Sequence, residues 1–289
     1  MEQHTRPSYL RLIKPGITLS NTLSGLAGAL LAASVVPFNL SAFLGAIGGI
    51  ALIIASACVA NNILDRDMDA RMKRTSTRGV PMGTIKIPQA LAFLVVLGAT
   101  GFWLLWAFTN TLTVVLGVIA FIWYVVIYDI TKRTTPLSTV IGGVAGSLPP
   151  VAGYTALTGT IDAAAIILFW ILFFWQLPHF YAISMFRRDD YAAAKVPVWA
   201  VRYGMKSAKR QIFISAILYA ITASLLFFFG YAGVTYLVLS SALSVYWVYK
   251  GAVLYRTADD LKWAHAMFGI SLLVLMAIVA LISIGGFLP

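Results

Sequence analysis

Nine stretches of this chain stay apolar for about as long as a helix needs to cross a bilayer, roughly 20 residues each. They fall at about 17–37, 41–61, 89–109, 111–129, 137–157, 163–186, 212–230, 233–250 and 267–287. Hydrocarbon offers backbone amides no water, so each run must satisfy its own hydrogen bonds, and helices do that within the segment. Little of the 289 residues is left for a separate soluble domain. The expected fold class is all-α: a polytopic membrane helix bundle of about nine transmembrane helices, one domain over 1–289. A mean hydropathy of +0.88, with only 11% charged residues, excludes a soluble protein.

The start does not read as a cleaved leader. Lys14 and Pro15 precede a stretch long enough to span, and no small-residue cleavage site ends it. Cys58, the single cysteine, sits in an apolar segment, so no disulfide framework or cysteine metal site is expected.

Once the spans are laid out, all 21 Lys and Arg fall on one side. Arg6, Arg11 and Lys14 precede the first span, and Arg66 to Lys86 follow the second. Lys132 and Arg133 follow the fourth, Arg187 to Arg210 the sixth, and Lys250, Arg256 and Lys262 the eighth. The opposite loops, around Phe108–Thr111, Leu157–Ala163 and Gly230–Gly233, carry no Lys or Arg, and Asp162 is their only charge. The positive-inside rule then puts the N-terminus in the cytoplasm and Pro289 outside. The net charge of +11 belongs to the cytoplasmic face, where it suits the lipid bilayer's anionic headgroups and an anionic substrate. A partner nucleic acid is not expected.

Where the second span ends, Asn61, Asp65 and Asp69 recur at i, i+4 and i+8, which sets a polar stripe on one helical face. Carboxylates so placed suit a hard cation such as Mg²⁺, which binds through one or two carboxylates together with substrate phosphates. Arg71, Lys73, Arg74 and Arg78 follow at once, and such cations hold phosphate oxygens by charge-assisted hydrogen bonds. A second long basic loop, FRRDDYAAAKVPVWAVRYGMKSAKR, follows the sixth span and also opens on carboxylates. This pattern suggests two related four-helix halves, about 10–135 and 136–255, with a ninth helix at about 267–287.

Two spans carry breakers. Pro149 and Pro150 lie in the fifth, after Gly142, Gly143 and Gly146, and Pro178 lies in the sixth; both helices are expected to kink or break there. Gln176 and His179 flank Pro178, and Asn21 lies in the first span. Polar groups at membrane depth normally face a bundle interior or a cavity.

These parts suffice to ionise an allylic diphosphate. Metal and cations stabilise the leaving diphosphate, and the carbocation is left in a water-poor cavity for an electron-rich acceptor. The Asn61-Asp65-Asp69 spacing resembles the first aspartate-rich motif of the UbiA-type intramembrane prenyltransferases. Within that family the chain is most similar to the branch that farnesylates protohaem IX. The similarity lies in Lys14-Pro15-Gly16, NNILDRDMDARMKRTSTR at 61–78, and Lys132-Arg133 followed by IGGVAGSLPPVAGY at 141–154. It continues in WQLPHF at 175–180, DYAAAKVPV at 190–198 and ADDLKWAHAMFGIS at 258–271.

The resemblance implies the rest. Farnesyl diphosphate and haem b would be the substrates, Mg²⁺ the cofactor, and a haem-modifying enzyme or terminal oxidase the onward partner. The location implied is a bacterial cytoplasmic (inner) membrane. Asn61, Asp65, Asp69 and Asp190 would be catalytic, with Asp65, Asp69, Asp190 and its neighbour Asp189 as metal ligands. Lys73, Arg74, Arg78, Lys132 and Arg133 would hold the diphosphate, and Trp175, Gln176 and His179 the haem. The second acidic motif departs from the family pattern, because Asp189 and Asp190 have no partner four residues away. Asp129 is also an acid where relatives are expected to carry a small hydroxyl residue. His179 is one of three histidines, with His4 and His265, and packing is the competing role for it. Two alternatives stay open: a quinone-precursor aromatic as acceptor, and a membrane transporter. The absence of Asp, Glu, Lys and Arg from the mid-membrane segments counts against the transporter.

Overall fold

The structure, a computed structural model, describes residues 9–255 and 259–289. His4, Arg6, Arg256 and Ala258, all used in the sequence reading, lie outside the described residues. A short helix α1 (Tyr9–Leu12) leads into α2 (Pro15–Ala33) and α3 (Leu40–Leu64), and one turn, α4 (Arg66–Asp69), follows. Then come α5 (Ile87–Phe108), α6 (Thr111–Ile122), a π-helical run Trp123–Tyr128, α7 (Asp129–Thr134), α8 (Ser138–Thr158) and α9 (Ala163–Phe186). The chain ends in α10 (Arg188–Ala193), α11 (Trp199–Phe228), α12 (Val234–Tyr255) and α13 (Asp260–Gly285). Among the described residues eight helices are long and apolar enough to cross a membrane, and α12 adds a ninth long helix of 22 residues.

Short polar residues start these helices by accepting from first-turn amides. Asn39 accepts from Ala42 N (3.1 Å), Asn110 from Thr113 N (3.0 Å), Asp162 from Ala165 N (3.2 Å), and Asp259 from Leu261 N and Lys262 N (both 3.0 Å). Outward-facing positions are apolar, as in Val95, Val96, Trp106, Val245 and Leu273, the composition a lipid-facing surface needs.

Small residues set the tightest packing. A Cβ on Gly28 of α2 would lie 1.9 Å from Pro150 O of α8, and one on Gly153 the same distance from Gly25 O. Such backbone contact between spans is available only to glycine. α3 packs on α5 through Gly49 and Gly101, and α9 packs along α11.

Three expectations are corrected. Pro149 and Pro150 do not break the fifth span, nor Pro178 the sixth: α8 and α9 each run through as one helix. A proline inside a span is tolerated when neighbouring helices enclose the segment, and α8 is buried against α2 and α9 here. The fourth span does not stop at 129; helix continues to Thr134, so Lys132 and Arg133 ride on it rather than on a loop. The seventh begins at Trp199, and only Gly204 (φ +81°) departs from helical geometry within it.

The ends of the bundle differ in charge. At one end Thr235 N donates to Pro289 O and Gly233 N to Gly285 O, so the C-terminus joins the loops without Lys or Arg. The two long basic segments meet at the other end. Met72 of the first packs with Ala194, Val196 and Val198 of the second, beside Met68, Tyr191 and Val201.

Candidate active site

The stripe lies at that charged end, across a break in the helix. α3 stops at Leu64, and Asp65, at φ −83° and ψ 0°, is at once its C-cap and the N-cap of α4. Backbone bonds of helical type nevertheless continue, Asp65 N to Asn61 O at 2.9 Å and Asp69 N to Asp65 O at 2.7 Å. Asn61, Asp65 and Asp69 therefore keep a common face, and all three are buried. Asp67, between them in sequence, has its side chain 79% exposed.

Each stripe residue meets a cation. Lys14 Nζ donates to Asn61 Oδ1. Arg78 Nη1 pairs with Asp69 Oδ2 at 2.7 Å, while Thr75 Oγ1 donates to Asp69 O at 2.9 Å and folds the loop over the site. Lys132 Nζ and Arg133 Nη2 (3.1 Å) share Asp65 Oδ1. Both cations also pair with Asp129, Lys132 at Oδ1 and Arg133 Nε at Oδ2 (3.4 Å), which closes a ring of two carboxylates and two cations. Burial pushes the Asp65 carboxyl up, and Lys132 pulls against it. Burial likewise pushes the Lys14 ammonium down.

Lys14 joins the site although only its place in the Lys14-Pro15-Gly16 block pointed to it in the sequence. It is held there from two sides. Its backbone is left-handed (φ 48°) just before Pro15, and buried Asn62 donates to Leu12 O at 2.9 Å, pinning the leading segment to α3. The π-helical run could not be read from sequence at all. It ends at Tyr128, immediately before Asp129, and such wide turns recur at functional sites.

The other sequence-derived residues divide. Lys73 and Arg74 are exposed. Burial pushes the Tyr191 phenol up, while Arg74 and Arg187 oppose the shift. Asp190 faces Arg187 Nη1 at 4.0 Å, and Asp189 is exposed. Among the described residues no three carboxylates, imidazoles or thiols converge enough to hold a metal unaided. Mg²⁺ needs no such cage, because it keeps waters and substrate phosphates as ligands. Two hard carboxylates one helical turn apart, Asp65 and Asp69, fit it.

His179 lies in a second cluster, between α9 and α13. Its ring stacks on Trp175 (5.0 Å) and lies 4.9 Å from Phe268; Phe268 in turn meets Phe186, on which His265 stacks at 4.4 Å. Ser271 Oγ lies within hydrogen-bond distance of both Phe268 O (2.6 Å) and His179 Nδ1 (2.8 Å), and its single hydrogen serves one of them. Trp175 Nε1 donates to Ser271 O at 2.8 Å and steadies the same turn of α13. Gln176 does something different: both its N–H donors are spent between helices, on Gly143 O (2.7 Å) and Ser147 Oγ (2.9 Å) of α8.

A membrane helix bundle with buried aspartates and cations gathered at one end defines a class, and the comparisons agree with it. The UbiA prenyltransferase family model matches residues 22–280, and the chain belongs to this family. A Citrobacter koseri protein named "Protoheme IX farnesyltransferase" is 41% identical over 97% of this chain and 95% of its own length. An Escherichia coli O1:K1 / APEC protein of the same name is 40% identical over the same shares, and a Pseudomonas fluorescens "Protoheme IX farnesyltransferase 2" is 39% identical over 96% and 94%. Among solved structures, a digeranylgeranylglyceryl phosphate synthase superposes with a TM-score of 0.78 at 19% identity, covering 96% of this chain and 97% of that one. An Archaeoglobus fulgidus UbiA homologue, solved with GPP and Mg²⁺, superposes at 0.65 with 16% identity, covering 95% and 99%. These last two likenesses establish the fold. Family membership makes the protein a prenyltransferase and removes the transporter alternative.

Proposed function

We propose that this protein transfers the farnesyl group of farnesyl diphosphate to a vinyl group of haem b, with addition of water, to make haem O. The observation that carries the reading is the buried Asn61-Asp65-Asp69 ladder with Lys14, Arg78, Lys132 and Arg133 closed around it. The names of relatives aligned over nearly the whole chain support haem as the acceptor. Asp65 and Asp69 would hold Mg²⁺, with Asn61 supporting and Asp190 contributing from α10. Bound there, Mg²⁺ supplies Lewis-acid stabilisation of the leaving diphosphate.

Lys132, Arg133 and Arg78 bind the diphosphate oxygens, with Lys73 and Arg74 completing the basic rim. The allylic C–O bond breaks, and the developing negative charge stays on the diphosphate among these cations. The vinyl π electrons then form the new C–C bond. Positive charge moves to the carbon next to the porphyrin, where water adds and loses a proton. His179 binds haem through Nε2, oriented by Ser271, and Trp175 supports the imidazole face. Gln176 joins α8 to α9 and so positions the haem-binding helix.

Incubating membranes with haem b, farnesyl diphosphate and Mg²⁺ is expected to convert haem b to a product heavier by one farnesyl group plus one hydroxyl. Unchanged haem alongside a prenylated quinone-type aromatic overturns the assignment of the acceptor.

The one-sided basic residues support a cytoplasmic site and N-terminus, with Pro289 outside, in a bacterial inner membrane. A reporter fused after Pro289 is expected to work outside the cytoplasm and one near Lys86 inside it. Activity of both on one side overturns that orientation. The halves 10–135 and 136–255 are read as related units, supported by the like packing of α3 on α5 and α9 on α11.

A further inference from the structure

Asp129 has no part in the reaction as written, yet it is buried and pairs with both cations that hold Asp65. Lys132 and Arg133 reach the same Asp65 oxygen, Oδ1. A divalent ion on the Asp65 carboxylate would repel both cations, so metal binding would loosen both pairs. Asp129 lies three and four residues before these cations on one short helix, and its pairings do not depend on what happens at the end of α3. The π-helical run just before it is anchored to α8 by Trp123 Nε1, which donates to Ile141 O at 2.6 Å. Leu64 O, accepting from Arg133 Nη2 at 2.8 Å, is the second fixed point.

We propose that Asp129 is a positioning residue that takes over Lys132 and Arg133 when Asp65 releases them to bind metal. The proposal rests on the reading of Asp65 as a metal ligand. It predicts two changes of opposite sign when Asp129 is neutralised. Lys132, only 5% exposed, is left with Asp65 as its one carboxylate, so a divalent ion must displace a more tightly held ammonium. The site also gains one net positive charge, so an anion arriving without metal is held more strongly.

The test uses the full-length protein in nanodiscs, with Mn²⁺ binding followed by electron paramagnetic resonance and metal-free inorganic pyrophosphate binding by calorimetry. For Asp129→Asn the Mn²⁺ concentration at half-saturation is expected to rise roughly tenfold while pyrophosphate binds several-fold tighter. Asp129→Ser is expected to repeat that pattern, and Asp129→Glu to keep both values within about twofold of the parent. A general loss of structure moves both affinities in the same direction; that result, or no movement in either neutral variant, overturns the role given to Asp129. Parent protein that binds neither Mn²⁺ nor pyrophosphate overturns the reading of the whole site, and this proposal with it. Parent protein that binds both, beside indifferent Asp129 variants, overturns the proposal alone.

Discussion

Asp65→Asn or Asp69→Asn is expected to reduce farnesyl transfer on the order of 10²- to 10³-fold, while Asp67→Asn changes it by less than about threefold. The contrast follows from where the three carboxylates point. Asp65 and Asp69 are buried on the shared face with Asn61, whereas Asp67 is exposed beside Arg66. An amide matches a carboxylate in size but brings no charge to a hard cation. Both inactive variants are expected to accumulate in the membrane. With Asp65 neutral, Lys132 and Arg133 still have Asp129, so no buried cation is stranded. With Asp69 neutral, Arg78 is partly exposed and turns to water, and the Thr75 bond to the Asp69 carbonyl survives. Turnover measured per folded protein checks this. Equal losses from all three substitutions mean that the common-face argument is wrong.

His179→Ala is expected to strip most co-purified haem from the protein and leave farnesyl diphosphate binding intact. The clusters are separate: His179 contacts Trp175, Phe180, Phe268 and Ser271, none of which belongs to the carboxylate–cation network. Ser271→Ala serves as the finer probe. It keeps the imidazole but removes the hydroxyl that bonds Nδ1 and orients the ring, so haem affinity is expected to fall roughly 10- to 100-fold, the range typical of a lost ligand-orienting bond. The haem absorption band of each purified variant, set beside its diphosphate affinity, provides the measurement. If His179→Ala retains haem and turnover, the imidazole is a packing group that ties α9 to α13.

How far this architecture could be read from the chain depends on the range of the forces that made it. Span lengths follow from local hydropathy, so each expected segment overlaps a long helix. The ends moved where polar residues continue a helix beyond the hydrocarbon. Lys132 and Arg133 belong to the helical run that began at Thr111, and α11 begins before the segment expected at 212–230. Pro149, Pro150 and Pro178 were expected to kink or break their helices, and no break occurs, because a proline's lost bond is visible in sequence and the enclosing neighbours are not.

The carboxylate stripe was legible because its spacing is a property of one short segment, Asn61 to Asp69. So was the basic character of the loops that surround it. What the sequence by itself determined is therefore a membrane helix bundle with its charge gathered at one end and a polar ladder there. Only the tertiary structure decided which cation meets which carboxylate. Lys14, Arg78, Lys132 and Arg133 come from three separate stretches, and a few ångströms of helix packing place them on Asn61, Asp69 and Asp65. It also decided the partner of the His179 Nδ1 atom, a serine 92 residues away. Contacts of that kind leave no periodicity behind, because they are set by how helices pack across the bundle and not by the order of residues within one helix.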